Sequence, residues 1–122
     1  MKAITLTLSG TRAGYSVIAT RLIGHSVKQR IRLNSVNGFA WGVDIEETRH
    51  LAAEVIGFAY DWTAGAQIEV RQWTEELAAQ VFALLRPDED FELTLIFHPC
   101  FGVVLNDIQT PPWTVAIDRG GL

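Results

Sequence analysis

Ser35-Val36-Asn37-Gly38-Phe39-Ala40-Trp41-Gly42 is the stretch at which this sequence changes period. Before it, apolar residues recur at every second position, the spacing of a half-buried strand. After it they recur every third or fourth, the spacing of one helix face. Asn37-Gly38 is a turn signal, because both residues tolerate positive φ. Upstream, Val27, Gln29, Ile31 and Leu33 fall on one side of a strand over 27–33, and Lys28, Arg30 and Arg32 on the other. Further back, residues 15–23 form a second strand. Residues 2–8, with Ile4, Leu6 and Leu8 in alternation, form a first. The links between them, rich in Gly and Ser, are too short for a crossover helix, so the three make an antiparallel meander.

Downstream, Asp44 is placed to cap a helix, with Glu47 three residues on. Thr48, Leu51, Ala52, Val55, Ile56, Ala59 and Trp62 lie on its buried face, and residues 63–66 end it. Gly57 weakens this helix or lets it approach the sheet closely. Residues 68–72 read either as a short strand or as the lead into a second helix. Thr74 caps that helix, Glu75 and Glu76 sit in its first turn, Leu77, Ala78, Val81, Leu84 and Leu85 are its inner face, and Pro87 stops it. Residues 91–97 are a further strand, with Val103–Leu105 as its hairpin partner. A last strand covers 113–117 and a frayed tail 119–122. The predicted fold is α+β in a single domain, 1–122. An antiparallel sheet, the N-terminal three-stranded meander plus C-terminal strands, has two helices packed on one face.

Composition bounds the class. Of 122 residues, 48% are hydrophobic and 20% charged, enough to build a core and unlike a disordered chain. Cys100 is the single cysteine, so no internal disulfide forms and a reducing, cytoplasmic location is expected. The N-terminal residues alternate rather than forming a signal peptide, and no apolar run is long enough to span a membrane. The net charge of −4 conceals a split. Residues 1–44 hold six basic residues and one acid, a net of +5, whereas 45–122 hold thirteen acids and four arginines, a net of −9. Such asymmetry points toward polar partners.

The stretch 31–56 resembles a small uncharacterised domain family of bacterial genomes and mobile elements. Its signature is roughly Ser-Pro-Asp-Gly-Phe-Glu-Trp-Gly-Tyr, a Gly-Ser-Gly-Pro stretch, then a helix rich in alanine and leucine. Ser35, Gly38, Phe39, Trp41 and Gly42 match, followed by Leu51, Ala52 and Ile56. Residues 44–49 depart from it, and the chain beyond residue 60 does not align. The resemblance implies a mobile-element origin and no particular activity.

Candidate functional residues follow. Phe39 and Trp41, on a short turn between glycines, suit a recognition loop for a protein partner or a stacked base if exposed, and a hydrophobic plug if buried. Lys28, Arg30 and Arg32, with Arg21 beside them, form a basic stripe for an acidic protein or for nucleic-acid phosphates. Glu75 and Glu76, with Asp88, Glu89, Asp90 and Glu92, could imitate phosphate spacing. His98-Pro99-Cys100, an imidazole near a thiol, leaves open a small enzyme or a ligand pocket, but no second Cys or His pair with metal spacing accompanies them. Together these predict a non-enzymatic protein acting by protein–protein contact, as an accessory or inhibitor protein of a phage or mobile element would. No cofactor and no metal are expected, and a homodimer is compatible with four tryptophans in so short a chain. A nucleic-acid-associated protein using residues 28–32 is the alternative.

Overall fold

A computed structural model describes residues 3–13, 15–24, 26–33, 38–60, 70–97 and 113–118. The alternation upstream of residue 33 becomes three strands, β1 (Ile4–Thr11), β2 (Ser16–Ile23) and β3 (Ser26–Arg32). Two more follow the helices: β4 (Phe91–Phe97) and β5 (Trp113–Asp118). All pair antiparallel in one sheet of order β3-β2-β1-β4-β5. The meander is as expected, and β1, the first strand, lies at the centre of the sheet. Val103–Leu105, expected to pair with β4, lies outside the described residues, and the two sides of β4 are occupied by β1 and β5.

Leu6 and Leu8 on β1, Val17 and Ala19 on β2, and Phe91, Leu93, Leu95 and Phe97 on β4 point to one face and are buried. Two helices, α1 (Glu46–Tyr60) and α2 (Val70–Gln80), complete the core. They pack on each other, and α1 also touches β1 and β2. Thr48, Leu51, Ala52, Val55, Ile56 and Ala59 are buried, as their spacing predicts. Trp62 lies outside the described residues. The fold is therefore α+β, with helices on one face of an antiparallel sheet.

Four local expectations are corrected. Helix α1 begins at Glu46, with the Ile45 carbonyl accepting from Arg49 N at 3.2 Å, while Asp44 pairs with Arg49 Nε at 3.6 Å. Helix α2 starts at Val70, so Thr74 is inside it and buried rather than capping it. Leu84 is 58% exposed and Phe82 takes its place in the core. The cause is a 3-10 turn over Phe82–Leu84, whose tighter winding rotates the next side chains off the α-helical stripe. Finally, the register of β3 shifts: Arg21 pairs with Gln29, but Leu22 pairs with Val27, leaving Lys28 as an extra residue in a bulge. The bulge reverses the parity of the strand, so Val27 shares a face with Arg30 and Arg32 instead of opposing them.

The same register places Arg21 on the inner face, away from the basic stripe. Its Nη1 donates to the Phe58 carbonyl at 3.0 Å, and its guanidinium lies 5.4 Å from the Phe58 ring centre. Helix α1 has no basic residue in its own last turn, so β2 supplies the cation that its C-terminal dipole favours. The buried Nε is unpaired and offsets part of this gain. Arg21→Met is expected to lower stability by about 1–2 kcal/mol. An unchanged urea midpoint would show that the guanidinium does nothing for the helix end.

Candidate functional site

The Gly38–Gly42 turn carries two rings inward. Phe39 is 6% exposed and Trp41 1%. Trp41 stacks edge-on against Phe91 at 4.9 Å and Tyr15 at 5.0 Å, and its indole N–H donates to the Glu89 carbonyl at 3.1 Å. Gly42 N donates to the Phe82 carbonyl at 2.8 Å. The turn is thus clamped to the segment 82–91, and both rings fill the core where sheet passes to helix. The expectation that Phe39 and Trp41 anchor a partner is corrected. Two large apolar rings gain more by leaving water inside the chain than by waiting for a ligand.

Tyr15, at the tip of the β1–β2 hairpin, has φ +47°, an unusual conformation for a bulky residue, and its ring covers Trp41. Beside it an open cleft of about 560 Å³ is lined by Arg12, Ala13, Tyr15, Asp88, Glu89 and Asp90. Two of its three acids are already engaged: Arg12 N donates to Asp90 Oδ1 at 2.7 Å, and Arg86 Nη1 lies 3.3 Å from Glu89 Oε1. Glu75 and Glu76 line a different cleft with Asp44 and Arg49. The two acidic groups therefore belong to separate surfaces, and among the described residues no group of acids, histidines or cysteines is arranged to hold a metal. His50 Nε2 lies 3.7 Å from Glu46 on the surface of α1. One turn on, Glu54 is held above the ordinary carboxyl value by partial burial, with His50 pulling it back. His98 and Cys100 lie outside the described residues, as do His25 and Lys2.

Lys28, Arg30 and Arg32 are all exposed on β3, an edge of the sheet. With them goes a surface that reasoning along the chain overlooked, the face of the sheet turned away from the helices. Register defines it in rows across the strands. One row runs Arg32, Ile18, Ser9, Glu92; the next Arg30, Thr20, Thr7, Thr94; a third Val27, Leu22, Thr5, Ile96. Among the described residues nothing covers it. Ile18 is 36% exposed, Ile96 38% and Val27 63%, so apolar groups stand where a purely solvated face would be polar. The signal was present in residues 16–23, Ser-Val-Ile-Ala-Thr-Arg-Leu-Ile, which are apolar on both parities.

No family model, no curated protein and no solved structure matches the chain. No described helix is long and apolar enough to cross a membrane.

Proposed function

We propose that this chain is a non-enzymatic protein-binding domain that works through the open face of its sheet. The observation that supports this is the pattern on that face: Ile18, Leu22, Val27 and Ile96 share it with the cations of β3 at one margin and Glu92 of β4 at the other. Apolar groups give a partner area to bury, and the charged margins fix its orientation. Lys28, Arg30 and Arg32 keep the partner-contact role expected of them, while Phe39 and Trp41 support the platform from within. The resemblance of residues 31–56 supports a phage or other mobile element as the setting, in which an accessory or inhibitor protein would act by such contact, and the lone Cys100 supports a cytoplasmic location.

The exposed cations also suit nucleic-acid phosphates, but the described part of the open face carries no aromatic residue on which a base could stack. Affinity capture from a host lysate separates the two readings. A protein partner is expected to survive nuclease and to be lost at least about tenfold in Ile18→Arg, whose stability should stay within about 0.5 kcal/mol of wild type. Loss of the partner on nuclease treatment, with steep salt dependence, would give the face to nucleic acid instead.

A further inference from the structure

We propose that the occupant of the open sheet face is a second copy of this chain, docked face to face about a two-fold axis that runs along the strands between β1 and β2. This deepens the proposed function and rests on it. An isologous contact requires a surface complementary to itself, and the margins of the first and third rows have that property. The axis carries β3 of one copy over β4 of the other and β2 over β1. Arg32 then lies over the partner copy's Glu92, twice by symmetry; Val27 lies over its Ile96, and Thr20 over its Thr7. The acidic turn Asp88–Asp90, which leads into β4, comes to the same basic margin. Unlike charges thus meet at both margins of the first row and apolar groups at both margins of the third; at the middle Thr20 meets Thr7, while Ile18 and Leu22 meet Ser9 and Thr5.

Other ways of joining two copies are weaker. Pairing β3 edge to edge would set Lys28, Arg30 and Arg32 against their own copies, and the bulge at Lys28 interrupts the ladder. The opposite face of the sheet is filled by α1 and α2. The matched area is four strands wide and about six residues long, roughly 500 Å² per copy and about 1,000 Å² in total. That is the lower limit for a specific interface, so a dimer that half-dissociates on the order of 10–100 µM is expected rather than a permanent one. Two sheets packed this way keep their strands within about 30° of each other, which preserves the pairing of rows near the axis.

The test is sedimentation velocity on the full chain from about 5 to about 500 µM, with Arg32→Glu, Glu92→Arg and the double exchange. All three variants alter exposed residues, and circular dichroism confirms their fold. Wild type should dimerise. Each single change sets two like charges opposite each other in the dimer and should weaken association at least about tenfold, whereas the double exchange should return it to within about threefold of wild type. A wild-type chain that stays monomeric throughout overturns the proposal, and so does a dimer in which the double exchange fails to restore what the single changes lost. The broader reading fails separately. If the chain is monomeric yet Ile18→Arg still abolishes partner capture, the face binds another protein. If capture is also indifferent to Ile18→Arg, the face is not the binding surface.

Discussion

Trp41→Ala should lower the unfolding free energy by about 3–5 kcal/mol, a large part of the 5–15 kcal/mol that holds a domain of this kind together. The ring is 1% exposed and sits between Tyr15 and Phe91, so its removal leaves a cavity at the junction of hairpin, turn and β4. It also takes away the N–H that satisfies the Glu89 carbonyl. The melting temperature should fall by roughly 10–20 °C. Trp41→Phe keeps most of the volume and should cost about 1–2 kcal/mol. Thermal and urea unfolding of the two variants measure this directly. A loss under about 1 kcal/mol for the alanine variant would mean that the ring is not a plug, and its role as a partner anchor would return.

The second large effect is expected at Gly42. Its φ is +81°, and a Cβ there would lie 2.5 Å from the Pro87 nitrogen and 2.6 Å from the Pro87 ring. Backbone and a proline ring cannot swing aside, so Gly42→Ala combines left-handed strain with a steric conflict. The expected cost is about 3–5 kcal/mol. Gly38 is the control: its φ is +83°, but a Cβ would meet nothing within 4 Å. Gly38→Ala should therefore cost only the strain, about 1–2 kcal/mol. Equal midpoints for the two variants in urea would show that the contact with Pro87 is not tight.

Period-2 alternation was enough to place β1 and β4 to within a few residues, because one face of each is buried and the other is more exposed; β2 and β5 were legible as short apolar or β-branched runs between turn residues. It failed at β3. A bulge is an event in the backbone, and nothing in the side chains of residues 26–32 announces that Lys28 is extra. The face assigned to Val27 was reversed for that reason alone. Helix α2 was entered too late because Thr74 has the chemistry of a cap, although Trp73 before it already continues the apolar stripe. Spacing alone puts Leu84 in the core, because it carries the α-helical period one turn past the point where the chain tightens to 3-10. For Phe39 and Trp41 the composition of the turn was conspicuous but its direction was not local. Whether two rings point in or out depends on residues 82–91, more than forty positions away. The open sheet face was missed for a similar reason: it is a surface assembled by register, and no contiguous segment contains it.

The central position of β1 has a consequence for how the protein is made. The hairpins β1–β2 and β2–β3 close as soon as their residues emerge, but the second neighbour of β1 begins at Phe91, some 80 residues after Thr11. At ordinary rates of translation that interval is roughly 4–16 s. Throughout it, a strand reading Ile-Thr-Leu-Thr-Leu-Ser shows a bare hydrogen-bonding edge with no cation, proline or bulge to blunt it. Both edges of the finished sheet carry bulges, at Lys28 on β3 and at Ala116 on β5, whereas the temporary edge has none. The nascent chain is therefore most exposed to wrong pairing before β4 arrives, and slow synthesis through the helices would lengthen that exposure.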